Sequence, residues 1–116
     1  MNVQLENLFL DARPALKGSV FEVASRLLKD PAARLVSERP TDEEVRELLP
    51  TLKARAANAS RSGTRIIGLS LVIKRLESLP NQARVIGYGV SSPRANGNVY
   101  FSAADRAPLG TAIVER

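Results

Sequence analysis

The two side chains that carry most nucleophilic, acid–base and metal chemistry in proteins are missing, because the sequence has no cysteine and no histidine. Without cysteine there is no disulfide, no thiolate nucleophile and no cysteine-based metal site. Without histidine the commonest general base and metal ligand is lacking as well. These absences exclude Cys- and His-based triads, and any metal site would have to be built from hard oxygen ligands.

The acidic residues do not supply such a site. Asp42, Glu43 and Glu44 are consecutive, so a helix would point their side chains in different directions, and no EF-hand spacing occurs. Their position suits the first turn of a helix, where acidic side chains interact favourably with the helix dipole. We therefore predict a protein that is not an enzyme and that has no cofactor and no metal ion.

Long apolar runs are also lacking. No stretch approaches the roughly 20 apolar residues that cross a bilayer, and Glu6 stands where a secretory signal would carry positive charge. We expect no membrane segment and a cytoplasmic location. A length of 116 residues, with 44% hydrophobic and 25% charged residues, is typical of one globular domain. The prediction is a single domain over residues 1–116, with a helical half (1–60) and a β-rich basic half (61–116).

The first half has helical periodicity. Two stretches before residue 30 repeat apolar residues at helical spacing, and Asp30 can cap a short turn at residues 31–37. Thr41 and Glu44 have the spacing of a capping box. The apolar face of the helix behind it continues through Pro50, so we predict about 17 helical residues, kinked or split at that proline.

The second half favours strands. Residues 66–74 follow Ser62-Gly63 and alternate with a period of two, which predicts an antiparallel strand, although residues 66–79 also fit a helical stripe. Residues 84–91 and 98–103 read as a hairpin, with Asn96-Gly97 at its exposed tip and Arg94 beside it. Residues 109–115 are predicted to form an edge or closing strand.

Together these elements predict an α+β fold. N-terminal helices would pack on one face of a C-terminal, mainly antiparallel sheet of three or four strands. Gly87 and Gly89 resemble the start of a dinucleotide fingerprint, but no helix follows them, so we interpret them as sites of close packing or of a bulge.

Positive charge is concentrated in the second half. Residues 1–60 contain nine acidic and nine basic residues, whereas residues 61–116 contain three acidic and eight basic residues, which accounts for the net charge of +5. The segment from Lys53 to Arg65 has no acidic residue. Arg55 and Lys53 are expected near a helix end, Arg61 in a loop and Arg65 at the start of a strand, so these four cations would share one rim.

This rim is the predicted binding site, because arginine offers a planar fork of donors that fits carboxylates and phosphates. The predicted binding residues are Lys53, Arg55, Arg61 and Arg65, with Lys74, Arg75 and Arg94 as outer contributors. A solvated basic surface without a partner is the simpler alternative.

Two functions of different classes remain open. The first is a small non-catalytic interaction protein, such as an inhibitor, an immunity-type protein or an assembly component of a bacterial or phage system, that recognises an acidic partner protein. The alternative is a nucleic-acid-binding accessory protein that contacts phosphates without strong sequence specificity. The sequence has only three Phe and two Tyr residues, which disfavours base stacking. A third and weaker hypothesis is an enzyme that uses Glu77, Asp105, Arg106 and a tyrosine.

Overall fold

Four helices and five strands make up the described part of the chain, residues 3–12, 18–37, 39–80 and 84–115 of a computed structural model. The helices are α1 (Val3–Ala12), α2 (Gly18–Lys29), α3 (Asp42–Ser62) and α4 (Leu69–Ser78). The strands are β1 (Arg34–Ser37), β2 (Ile66–Ile67), β3 (Val85–Ser91), β4 (Ala95–Ser102) and β5 (Pro108–Glu115).

The strands form one sheet in the order β1-β3-β4-β5-β2, and every neighbouring pair is antiparallel. The predicted α+β class, with helices in the N-terminal half and a mainly antiparallel C-terminal sheet, is confirmed. The sheet has five strands instead of three or four, because β1 adds an edge strand that was not predicted and the predicted strand at residues 66–74 is kept only as the two-residue β2 at the other edge.

The sheet is buried on both faces. Along β4, Val99 and Phe101 join the core formed with α1 and α2, whereas Tyr100 between them joins a second core formed with α3 and α4. Successive strand residues point to opposite faces, so one strand serves both cores. The prediction that the helices cover a single face is therefore corrected: α1 and α2 cover one face, and α3 and α4 cover part of the other.

Helix α3 confirms the predicted capping box. The Glu44 backbone N–H donates to Thr41 Oγ1 at 3.2 Å, and the Thr41 N–H donates to Glu44 Oε1 at 3.1 Å. The helix is longer than the predicted 17 residues, because it runs unbroken for 21 residues and ends at Gly63 with φ of 73°. Pro50 lies inside the helix at an exposed position and does not split it.

The prediction of a strand over residues 66–74 is wrong beyond Ile67. Gly68, with φ of 82°, turns the chain into α4 at Leu69. Leu69 and Val72 are buried against the second core, together with half-buried residues one helical turn further on. A run so rich in Leu, Ile and Val fits both the alternation of a strand and the spacing of a helix. Here the helical conformation buries more of these side chains against the second core.

The predicted hairpin is present, but its tip is not Asn96-Gly97. The chain turns at Pro93 and Arg94, where the Ser92 N–H donates to the Ala95 carbonyl at 2.9 Å. Asn96 lies within β4 opposite Ser91, whose Oγ donates to Asn96 Oδ1 at 2.7 Å. The ring of Pro93 fixes its φ at a value that suits a turn, and this preference outweighs the local turn preference of Asn96-Gly97.

Two further corrections concern the edges of the sheet. Residues 109–115 do form a strand, but β5 lies between β4 and β2 and is not at the edge. Residues 34–37, predicted as part of a turn, form β1, which pairs with β3 through a register shift. Asp30 does cap the preceding turn, since its Oδ1 accepts from the Ala32 N–H at 2.9 Å.

Replacement of Gly97 by Asn should destabilise the protein by about 1 to 3 kcal/mol, because a side chain must enter a packed core. A Cβ at position 97 would lie 2.7 Å from Leu27 Cδ2 and 3.2 Å from Ile113 Cγ1. Chemical denaturation of the variant would measure the loss.

Gly63→Asn is the matched control. Gly63 has positive φ and open space around its Cβ position, so asparagine should cost little there. If Gly97→Asn were as mild as Gly63→Asn, residue 97 would lie at an exposed turn after all.

Thr111→Val should raise the free energy of unfolding by about 1 kcal/mol, because valine keeps the shape and removes an unsatisfied hydroxyl. Thr111 is fully buried, and its Oγ1 has no hydrogen-bond partner among the described residues. Ser92→Ala is the opposite control, since Ser92 Oγ accepts from the Ala95 N–H at 3.2 Å, so this variant should be less stable. A destabilised Thr111→Val variant would show that the hydroxyl has a partner.

Candidate functional site

One end of the sheet collects exposed cations from several elements. Antiparallel pairing brings the first residues of β1, β2 and β4 to the same end of the sheet as the last residues of β3 and β5. The register shows this in three pairs: Arg34 with Ser91, Ala95 with Glu115, and Ile66 with Val114. Helices α2 and α3 also end here. We call this end of the sheet the basic end. It carries six exposed cations, namely Arg26, Lys29, Arg34, Arg61, Arg65 and Arg94.

A groove of about 940 Å³ lies within the basic end, between the last two turns of α2 and the β3–β4 turn. Its apolar lining includes Val23, Leu27 and Pro93. Three of the six cations line it as well, namely Arg26, Lys29 and Arg94. The groove therefore combines an apolar floor with a positively charged rim.

The turn that carries Arg94 is held by one buried hydroxyl. Ser92 Oγ accepts from the Arg94 N–H at 3.3 Å and from the Ala95 N–H at 3.2 Å, and it is also placed to donate to the Ala95 carbonyl at 3.1 Å. Pro93 stiffens the same turn. The backbone of Arg94 is therefore fixed, while its side chain stays exposed.

Among the residues that the structure describes, few acidic side chains lie at this end. Asp30 and Glu115 also line the groove, but one oxygen of Asp30 is already used in the turn after α2. At the opposite end, Asp42, Glu43 and Glu44 fill the first turn of α3. At that end Asp42 also faces a cation, Arg84, at 3.8 Å. At the basic end the six cations outnumber Asp30 and Glu115, so the field there is positive.

The structure brings together only some of the predicted binding residues. Arg61, Arg65 and Arg94 lie at the basic end. Arg61 is in the last turn of α3 and not in a loop, and its Nη2 donates to Asn58 Oδ1 at 2.7 Å. Arg65 is exposed immediately before β2.

The other predicted residues lie elsewhere and several have partners. Lys53 Nζ is 3.6 Å from Glu77 Oε2, in an exposed ion pair between α3 and α4. Arg75 Nη1 donates to the Pro108 carbonyl at 2.7 Å, which joins α4 to the start of β5. Lys74 is exposed on α4, away from the basic end.

Arg55 does not share a rim with Arg61, because six residues of α-helix separate them by about 9 Å of rise and about 240° of rotation. Arg55 instead borders the sheet, where it lines two adjoining grooves with Asn98. Burial raises the pKa of Tyr100 in the same region above its ordinary 10.0, while the charge of Arg55 and a hydrogen bond with Asn98 act to lower it.

Sequence reasoning missed Arg26, Lys29 and Arg34. These residues belong to a half whose net charge is zero, so a count by halves could not reveal them. The available signal was positional, since Arg26 and Lys29 occupy the last turn of an amphipathic helix. Strand β1 was not predicted from the sequence. Its pairing with β3 brings Arg34 to the end of the sheet that carries Arg94.

Two residues of the catalytic hypothesis, Glu77 and Asp105, have structural partners. Glu77 pairs with Lys53, and Asp105 Oδ1 accepts from the Ala107 N–H at 3.0 Å, a bond that lowers the pKa of Asp105. Within the described ranges, no group of three or more acidic residues could hold a metal ion. None of the described helices is long and apolar enough to span a membrane.

Comparison with protein-family models, with curated proteins and with solved structures finds no match to this chain.

Removal of the Arg55 charge should raise the pKa of Tyr100 further. A nearby cation stabilises the phenolate, so Arg55→Gln takes away a contribution that lowers the pKa. NMR titration of the Tyr100 ring carbons would measure the shift, with Arg61→Gln as the matched control. An unchanged Tyr100 titration in Arg55→Gln would show that the two side chains are not close.

Proposed function

We propose that this protein is a non-catalytic interaction protein that binds an acidic segment of a partner protein at the basic end. The observation that carries the proposal is the convergence of six exposed cations at one end of the sheet, from the ends of α2 and α3, the starts of β1 and β2 and the β3–β4 turn. Three of them, Arg26, Lys29 and Arg94, line the groove there. Five of the six cations are arginines, which suit carboxylates in paired contacts.

The lining of the groove favours a peptide over bare phosphates. Val23, Leu27 and Pro93 offer apolar area that a phosphate backbone cannot use, whereas a segment with both acidic and apolar side chains matches the floor and the rim. The described aromatic residues give little support to base stacking. Tyr88, Tyr100 and Phe101 are buried, and Phe21 is stacked on Phe9 with ring centroids 5.7 Å apart.

Charge reversal at the basic end should abolish partner binding and leave the fold intact. Arg26→Glu/Arg94→Glu changes two exposed residues that line the groove, and its cost in stability should be no more than about 1 kcal/mol. The measurement is affinity capture from a lysate of the source cell after nuclease treatment. Wild-type protein should retain a partner protein that is released by salt, because exposed ion pairs are screened.

The matched control is Arg46→Glu/Lys74→Glu, which makes the same change in net charge at exposed positions outside the basic end. It should retain the partner as the wild type does. Equal loss in both double variants would contradict a localised site and indicate a response to net charge. Capture that disappears with nuclease would instead support nucleic-acid binding by phosphate contacts.

A further inference from the structure

A second cleft lies on the sheet face that α3 and α4 cover only in part. It consists of two adjoining grooves of about 420 and 290 Å³, and both are lined by Leu52, Arg55 and Asn98. Each is close to or within the volume range of small-molecule sites, about 300–1,000 Å³. Arg55 therefore lies at the junction of the two grooves.

Two glycines of β3 lie directly under side chains that line the cleft. A Cβ at Gly87 would lie 3.3 Å from Tyr100 Cδ1, and a Cβ at Gly89 would lie 2.7 Å from Ser37 Oγ. Gly87 forms part of the lining of the smaller groove. The two glycines thus allow Ser37 and Tyr100, which line the smaller groove, to pack directly against β3.

Polar groups converge at the junction. Arg55 is exposed, and its guanidinium makes no ion pair or hydrogen bond with any residue in the described ranges. Asn98 is half-buried and lies on the same face of β4 as Tyr100, two residues along the strand. In the larger groove, Ser91 Oγ donates to Asn96 Oδ1 at 2.7 Å. A cation beside a side-chain amide is an arrangement that can orient a carboxylate.

The two grooves differ in charge and polarity. Glu44 and Glu47 line the smaller groove and disfavour an anion there. No described residue that lines the larger groove is acidic, and its walls are largely apolar, with Leu69, Ala112 and Val114 among them. An anionic ligand with an apolar body would therefore place its charge at Arg55 and its body in the larger groove.

We propose that this cleft binds a small organic carboxylate, whose carboxylate group contacts Arg55 and Asn98 and whose apolar body lies over Leu69 and Ala112. The cleft lies on the opposite face of the sheet from the groove of the basic end, and the proposal does not depend on the proposed function. The larger groove reaches the same end of the sheet at Ile66, Ser91 and Val114, but none of the six cations of the basic end lines it.

The test is an NMR titration of the whole protein with benzoate and with hexanoate, and with benzamide as a neutral analogue of benzoate. Both carboxylates should cause saturable shifts in the backbone amides of Gly89, Asn98 and Ala112. Benzamide should bind at least roughly tenfold more weakly, which corresponds to about 1.4 kcal/mol. A neutral amide cannot form the charged pair with Arg55.

Arg55→Gln should weaken benzoate binding by a similar factor, and Arg61→Gln, on the same helix, should leave it unchanged. Arg55→Lys is a second variant that keeps the charge and loses the planar fork, so its affinity should be intermediate. Melting temperatures would confirm that all three variants are folded.

The proposal is overturned if neither carboxylate produces a saturable shift below about 10 mM, a range in which a site of even millimolar affinity would be detected. It is also overturned if benzoate shifts wild-type and Arg55→Gln protein alike. Shifts confined to Arg26, Lys29 and Arg94 would assign the carboxylate to the basic end and contradict this site.

Discussion

The pairing of β4 between β3 and β5 is the constraint on which the rest of the structure depends. It sets Phe101 opposite Ile86 and Ile113 opposite Gly97, and both Phe101 and Ile113 are fully buried in the first core. A shift by one residue would exchange the side chains of the two cores, because neighbouring residues face opposite sides of the sheet. The same register places every strand end, and therefore the basic end.

Two-sided burial explains why the helices divide into two pairs. A half-buried antiparallel sheet needs only one helical layer, but here β4 and β5 present apolar side chains to both faces. Helices α1 and α2 cover Val99 and Phe101, and α4 packs on the other face over β5. Helix α3 reaches this second core through Leu52 and leaves the adjoining surface of β3 and β4 open as the cleft.

The sequence was sufficient to predict those elements whose structure depends on residues close to one another in the chain. The capping box of Thr41 and Glu44 involves only neighbouring residues, and the apolar face of α3 repeats regularly, so both could be predicted. The alternation in β3 was also clear. Ile86, Tyr88 and Val90 face the first core, while Val85 faces the second.

The sequence was insufficient to predict those elements whose structure depends on packing against residues distant in the chain. Leu69 and Val72 are compatible with a strand or a helix, and only their packing against β5 and α3 selects the helix. Asn96-Gly97 has the local preference of a turn, but Gly97 lies where Leu27 and Ile113 leave no room for a side chain. The convergence of cations likewise depends on strand pairing, so neither a composition nor a charge count could show it.

The distribution of arginines can now be understood from helix geometry. Arg55 and Arg61 belong to one helix and one sequence segment, yet the helical rotation assigns them to different surfaces, one facing a cleft over the sheet and the other joining the basic end.

At the basic end, Arg34, Arg94 and Arg65 stand in order across a sheet end that is about 19 Å wide for five strands at their usual spacing. Neighbouring charges in this row are separated by distances comparable to the Debye length of about 8 Å at physiological salt, so they repel one another with only partial screening. An acidic segment that binds there removes this repulsion in addition to forming its own ion pairs. Such a site would associate quickly with its partner and lose affinity steeply as salt is added, and a surface of scattered single charges would do neither.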